Sequence, residues 1–291
     1  MTGPAHVHSM MHCNLNTRDV VAAAAFYSEL LDLTPGMKTA RVPTDGSGLG
    51  VDGLATSEVW FMYDGRGPRS APAIELQEWV VPALVGAHPH EPNHLGLIAV
   101  GYAVPGLDPT GATLWPARGE LRPVVTVIDT DDVPVEQVVA APDASFPLFS
   151  HVRINCSDLE RSKQWYARLG FEAVGEPVGL SGDVTLTSQT LEAVSDQSFA
   201  IELTQWLTPG PVGTAASPAY HRGLYRIALG LDDVKAAYEA LAEGQPDIPE
   251  PLWVELPGTR LGGVWVMFLT DPDGVVIELV QRPRSAMTGR T

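Results

Sequence analysis

The stretch His151-Val-Arg-Ile-Asn-Cys-Ser-Asp-Leu159 has a counterpart in His12-Cys-Asn-Leu-Asn-Thr-Arg-Asp-Val20, at an offset of 139 residues. Both run on to an aromatic pair, Trp165-Tyr166 and Phe26-Tyr27. Asn155 answers Asn16, Asp158 answers Asp19 and Tyr166 answers Tyr27. An internal repeat decides the fold before any single motif does. Ala73-Ile-Glu-Leu-Gln-Glu-Trp-Val-Val-Pro82 matches Ala200-Ile-Glu-Leu-Thr-Gln-Trp-Leu-Thr-Pro209 at an offset of 127. His94-Leu-Gly-Leu97 and His221-Arg-Gly-Leu224 share that offset. Asp129-Thr-Asp-Asp-Val-Pro-Val-Glu136 matches Asp271-Pro-Asp-Gly-Val-Val-Ile-Glu278. The pairs keep the same order, so the chain is two homologous halves, 7–140 and 148–283, joined by the Pro-containing linker Ala140–Pro147. The shift from 139 to 127 gives the first half about a dozen extra residues, expected in the Gly-rich loop Thr44–Gly53.

Within each half the repeat recurs. Val152 and Ile154 face one side of a strand, and His151, Arg153 and Asn155 face the other. Leu159, Trp165, Tyr166 and Leu169 recur at helical spacing. Ser157 and Glu160 form a capping box at the start of that helix, and Gly170 stops it. Strands are expected near 173–179, 182–187 and 199–207. Arg226-Ile-Ala-Leu-Gly-Leu-Asp-Asp-Val234 opens another such unit. The chain therefore reads as α+β, four β-α-β-β-β modules. The second, within 94–140, carries the Pro/Gly-rich stretch Val104–Ala112 in place of a helix.

The composition sets outer limits. Of 291 residues, 45% are hydrophobic, enough for a core and against global disorder. Eighteen Lys and Arg against 35 Asp and Glu give a net charge of −17, which repels phosphate backbones and anionic lipids. Nucleic-acid and membrane-surface roles are therefore not expected. No apolar run approaches the ~20 residues of a membrane helix, and Met1–His6 lacks the pattern of a signal peptide. Cys13 and Cys156 form no Cys-x-x-Cys motif and read as reduced thiols of a cytoplasmic protein. Three Lys among abundant Ala, Gly and Pro suggest a high-GC bacterial source.

Polar residues mark one sheet face. Ala73, Glu75, Gln77 and Trp79 share one side of a strand, as do Ala200, Glu202, Thr204 and Trp206. A carboxylate between apolar neighbours in mid-sheet needs a partner, whether a metal, an Arg or a substrate.

Four such modules, with His at the mouth of a first strand and Glu in a last strand, resemble the vicinal oxygen chelate superfamily. This is the glyoxalase, bleomycin-resistance and extradiol-dioxygenase group. The resemblance implies two tandem half-barrel domains, 7–140 and 148–283, each with a divalent metal on its concave face. Carried over, it gives His151, Glu202 and Glu278 as metal ligands in the second half, with Arg226 at the fourth position. The first half offers His12, Glu75 and Glu136, with Ala99 at the fourth. One His and two carboxylates suit Fe, Mn, Zn or Ni, whereas a guanidinium cannot ligate. Sequential pairing of modules is the expectation. Pairing the first with the fourth would instead gather His12, Glu75, Arg226 and Glu278. The frame Asp271-Pro-Asp-Gly274 to Glu278 resembles the extradiol signature, but Phe268 replaces its Tyr and no His follows His221. The usual ring-cleaving machinery is incomplete.

The resemblance thus implies a metal-dependent enzyme of dioxygenase, lyase or isomerase type, acting on a small oxygen-rich or aromatic metabolite. Glu202 or His221 would move the proton and Arg226 would anchor the substrate. The competing expectation is a metal-free binding or resistance protein that holds a flat ligand between Trp walls. A homodimer fits either. His88-Pro-His90-Glu-Pro-Asn-His94 and His6-Val-His8 read as solvated segments rather than metal tracts. The loop Gly46–Gly53 opens no helix and is no phosphate cradle. Trp79, Trp206 and Trp265 read as core or cavity wall.

Overall fold

The computed structural model describes residues 5–243 and 247–284. The first module comprises β1 (Ser9–Asn16), α1 (Val20–Leu31), β2 (Thr34–Lys38), the short β3 (Pro43–Asp45), β4 (Leu54–Tyr63) and β5 (Ala73–Val81). The second has β6 (Gly96–Val104), β7 (Thr113–Ala117), β8 (Glu120–Ile128) and β9 (Pro134–Val139), with a turn where the others have a helix. The third has β10 (Leu148–Asn155), α2 (Leu159–Ala167), β11 (Phe171–Leu180), β12 (Thr185–Ala193) and β13 (Asp196–Thr208). The fourth has β14 (Gly223–Leu231), α3 (Val234–Ala242), β15 (Leu252–Leu256), β16 (Gly262–Thr270) and β17 (Val276–Gln281). The extra residues of the first module form β3 and a single helical turn at Ser47–Leu49. No helix among the described residues is long and apolar enough to cross a membrane.

Each helix follows its first strand after one capping aspartate. Asp19, Asp158 and Asp233 accept backbone N–H groups of the first turn of α1, α2 and α3, which satisfies donors the helix itself cannot. The expected Ser157–Glu160 box is not formed. Asp158 accepts from the Arg161 N–H at 2.9 Å, while the Ser157 hydroxyl is drawn away to Asp273 at 2.5 Å. In α1, Val20, Ala23, Ala24, Tyr27 and Leu31 form the buried stripe. The helix ends at Asp32, left-handed at φ 54°, a conformation Asp tolerates better than most residues.

The strands make two curled sheets. One runs β15-β16-β17-β14-β1-β5-β4-β2, and the other β11-β12-β13-β10-β6-β9-β8-β7. Sequential pairing of modules is therefore not what forms. Antiparallel seams β1·β14 and β10·β6 pair the first module with the fourth and the second with the third. Each half of the chain gives one module to each sheet. The connectors 82–95 and 209–222 make this exchange by crossing, with bridges Val85 to His221 and His94 to Val212. Asn16 clamps one crossing by donating to the carbonyls of Ala219 (2.8 Å) and His221 (2.7 Å). Asn155 clamps the other through Pro92 (2.7 Å) and His94 (2.8 Å). Both asparagines are wholly buried, so their amide N–H groups need these loop carbonyls as partners.

Consecutive modules stay packed although their strands do not pair. The Tyr27 hydroxyl on α1 donates to Asp129 at 2.9 Å, and Tyr166 on α2 donates to Asp271 at 3.1 Å. The core lies between the outer faces of the two sheets. It joins Cys13, Leu15, Ile74 and Leu76 of one to Val152, Ile154, Ile201 and Leu203 of the other. Strand alternation then turns His12, Glu75, His151 and Glu202 to the inner, concave faces.

Candidate functional site

In the first half-barrel four charged or titratable side chains converge, none more than 8% exposed: His12 on β1, Glu75 on β5, Arg226 on β14 and Glu278 on β17. Arg226 Nε donates to Glu278 Oε2 at 2.8 Å. Its Nη2 donates to Glu75 Oε2 at 2.9 Å and Oε1 at 3.1 Å. His12 Nε2 stands 3.2 Å from Glu75 Oε2 and 3.4 Å from Glu278 Oε2, without hydrogen-bond alignment to either. Burial pushes the Glu278 carboxyl up, but Arg226 and His12 overcome it and leave it lowered to about 2. Burial also opposes the charge on Arg226, and Glu75 and Glu278 reverse that and raise it above its ordinary value. Three buried polar atoms here lack a partner: His12 Nε2, Asn14 Oδ1 and Arg226 Nη1.

The second half-barrel repeats the theme with different parts. His151, wholly buried, places Nε2 3.0 Å from Glu136 Oε2. Arg153 grips the same carboxylate in bidentate fashion, at 2.7 Å through Nε and 2.8 Å through Nη2. Two of its other three N–H groups go to Thr204 Oγ1 (3.0 Å) and the Pro116 carbonyl (2.8 Å). Glu202 accepts from the Arg118 backbone N–H (2.7 Å) and from Thr190 Oγ1 (2.9 Å). Burial raises the Glu136 carboxyl, but Arg153 and then His151 bring it down to about 2. No buried side-chain atom of these four residues goes unpartnered. The turn carrying Arg118 closes over the cage and is tied to Glu192 (2.7 Å) and Gln197 (2.9 Å).

The structure redistributes the residues expected from the sequence. His151, Glu202 and Glu278 do not meet, because Glu278 lies in the other half-barrel. Glu136 likewise leaves His12 and Glu75 and joins His151. Ala99 packs on β6, opposite Arg153. His221 sits in a crossing connector, its ring against Gly86 and its Nδ1 3.0 Å from the Arg222 carbonyl. His88 is buried and bonded to the Ile98 carbonyl at 2.9 Å; burial, partly offset by that bond, lowers it to about 4. His8 contacts the Arg282 carbonyl at 2.9 Å. Trp79 and Trp206 are buried, and their indole N–H groups donate to Asn16 (2.9 Å) and Asn155 (3.2 Å). Trp265 is only partly buried and meets Trp253 edge-on at 5.9 Å. Sequence reasoning assigned no role to Arg153, Thr190 or Thr204. Alternation had put Arg153 on the face of His151, and that was the available signal. Nothing in the sequence pointed to the backbone of Arg118.

Between the fourth module and α2 of the third lies a cavity of about 450 Å³, walled by Leu49, Trp165, Arg168, Tyr225, Asp247 and Phe268 and by none of the four cage residues. Phe268 stands level with Glu278, and Val276, also in the wall, stands level with Arg226. The Gly-rich loop 44–53 folds over this end. Leu49 and Val51 pack with Trp79, Tyr220 and Tyr225, and Gly48 lies so close that a Cβ would meet Leu252 at 2.3 Å. A side chain there would have to turn the Leu252 methyl aside.

The family resemblance implies a divalent metal, and these side chains do not fit one as arranged. A guanidinium stands between the carboxylates of the first cage and holds both. It stays protonated and cannot coordinate. Among the described residues no group of three or more His, Cys, Asp or Glu is disposed to hold a metal ion.

The model of the Glyoxalase/Bleomycin resistance protein/Dioxygenase superfamily matches residues 148–279. None of the curated proteins matches the chain. In fold the chain is similar to glyoxalase I from Zea mays, at 19% identity and a TM-score of 0.64, over 93% of this chain and 91% of that chain. It is also similar to a "putative dioxygenase" from Bacillus subtilis subsp. subtilis str. 168, at 13% identity and a TM-score of 0.59, over 100% of this chain and 92% of that one. At these identities the likeness is one of fold. Residues 148–279 match the glyoxalase, bleomycin-resistance and dioxygenase superfamily, and the four-module repeat and the two curled sheets carry the same fold through the first half of the chain.

Proposed function

We propose that this protein is a metal-independent member of its superfamily that binds a small, flat, largely apolar or aromatic molecule at the end of the first half-barrel. The observation that carries this reading is Arg226, bonded to both Glu75 and Glu278 at the centre of the first cage. Fe, Mn, Zn or Ni would have to displace a charge-assisted, buried pairing to enter. The neighbouring cavity supports the ligand half of the proposal. Its volume of about 450 Å³ lies in the usual range for small-molecule sites, and Trp165, Tyr225 and Phe268 put three aromatic side chains in its wall. Cys13 and Cys156, both free and buried, suit the reducing, cytoplasmic setting that belongs to the same reading. So does the homodimer, which light scattering would report as twice the chain mass.

Two measurements test it together. Elemental analysis of protein purified without chelator should find less than about a tenth of an equivalent of metal. A fluorescent naphthalene sulfonate probe should bind wild type, and Phe268→Ala and Tyr225→Ala should each weaken it about tenfold or more, the scale of one buried aromatic contact. Stoichiometric metal in the wild type would favour the metal-dependent enzyme of dioxygenase, lyase or isomerase type instead.

A further inference from the structure

We infer that Arg226 and Arg153 each stand in for a divalent cation, and that each cage is a chelating site masked by one arginine. Three observations converge on this. First, the carboxylates are retained in both half-barrels, although a buried carboxylate is costly without a cation. Glu75 and Glu278 hold Arg226, and Glu136 holds Arg153. Second, each cage keeps an imidazole beside a carboxylate, at 3.2 Å for His12 to Glu75 and 3.0 Å for His151 to Glu136. One imidazole and two carboxylates are donors that borderline divalent ions accept. Third, the guanidinium links the paired modules as a shared metal would. Arg226 of the fourth module reaches Glu75 of the first, and Arg153 of the third reaches Glu136 and the Pro116 carbonyl of the second.

Replacing a metal by a fixed side chain is chemically one-sided. The arginine supplies positive charge and the link between strands, but it offers no open coordination position. The cage thereby keeps its structural cross-link and gives up ligand exchange at its centre. In the first cage the replacement is incomplete, since Arg226 Nη1, His12 Nε2 and Asn14 Oδ1 are buried without a hydrogen bond. That half-barrel is therefore the one where a cation should enter most readily once the arginine is gone.

This inference rests on the metal-independent reading, and the test separates the two. Wild type, Arg226→Ala and Arg226→His are titrated with Co²⁺ and Zn²⁺, following calorimetric heat, Co²⁺ visible absorption and melting temperature. Wild type should give no saturable binding. Arg226→Ala should take up about one equivalent, and its melting temperature should rise with Zn²⁺ while that of wild type does not. Glu278→Gln in the Arg226→Ala background should abolish the uptake. Arg226→His retains a side chain at the position and serves if the alanine variant cannot be purified. If neither variant gains metal, whether titrated folded or refolded with Zn²⁺ present, the inference is overturned and the metal-independent function stands. If wild type itself binds a full equivalent, both fall.

Discussion

Arg226 and Arg153 bring their guanidinium groups to corresponding points of the two half-barrels from different positions in the repeat. Arg226 lies two residues before Ala228, which stands level with Glu278. Arg153 lies two residues after His151 and stands level with Glu202. Where the second cage has Arg153 the first has Asn14, level with Glu75, and where the first has Arg226 the second has Ala99. Each cage thus holds one arginine, on a different strand position of the repeat.

Removing either arginine should be strongly destabilising. Arg226→Ala leaves Glu75 and Glu278 buried without their cation, a loss of about 3–5 kcal/mol in urea unfolding at neutral pH. Arg226→Lys should recover part of it, since an ammonium keeps the charge but cannot bridge two carboxylates with a planar fork. Equal stability of the alanine variant and wild type would mean the cage contributes nothing to the seam.

Acid should dismantle both cages in one pH window. Glu136 and Glu278 are lowered from 4.5 to about 2, so the folded state holds their protons less tightly than the unfolded chain. Their contribution is full above pH 4.5 and is lost as the pH falls toward 2. Each shift corresponds to about 3 kcal/mol. Stability measured from pH 6 to 2.5 should fall steeply below 4.5. In Glu278→Gln that slope should be shallower, and an unchanged slope would assign the acid sensitivity elsewhere.

His88 adds a loss of stability that begins at higher pH than that of the cages. Its pKa drops from 6.5 to about 4 on folding, so the unfolded chain binds the proton better. Stability is then full above pH 6.5 and declines as the pH falls to 4, by about 3 kcal/mol. Asp129 and Asp271, raised by burial from 3.8 to about 6, act in the reverse sense and favour the fold as the pH falls through 6. The total curve therefore understates His88. Comparing wild type with His88→Gln, whose amide can still donate to Ile98, isolates it. Parallel curves between pH 6.5 and 4 would remove His88 as a source.

Gly101 should admit no side chain. A Cβ there would lie 2.1 Å from the His151 ring, which is wholly buried and fixed to Glu136. Gly101→Ala should cost more than about 2 kcal/mol, since overpacking at a rigid site forces the ring off its partner. At Gly179 a Cβ would find its nearest neighbour at 3.5 Å, an ordinary contact, and Gly179→Ala should be near neutral. Thermal melts of the two variants provide the comparison.

The strand-helix-strand modules, the missing second helix and the polar face of β5 and β13 were all legible in the sequence, because each is written in local periodicity. Module pairing was not. The seams β1·β14 and β10·β6 join residues distant in sequence, and every first strand has the same alternation, so periodicity cannot choose between partners. Ser157 misled for a related reason. As a cap it is chemically equivalent to Asp158, and only the distant Asp273 explains why the hydroxyl turns away. The cages were half legible. Glu75 and Glu202 declared a need for a partner, but which partner each would find depended on the pairing.

The crossed connectors alter what a break in the chain would do. The eight residues 140–147 between β9 and β10 look like a hinge between two self-sufficient domains. Cleaved there, neither product would own a complete barrel, for each fragment carries one module of each sheet. The pieces should remain clasped after cutting and separate only on denaturation, and coexpressed as two polypeptides they should reassemble into one particle. The molecule is in effect a dimer of unlike copies tied by a thread, and the thread is dispensable where the clasp is not.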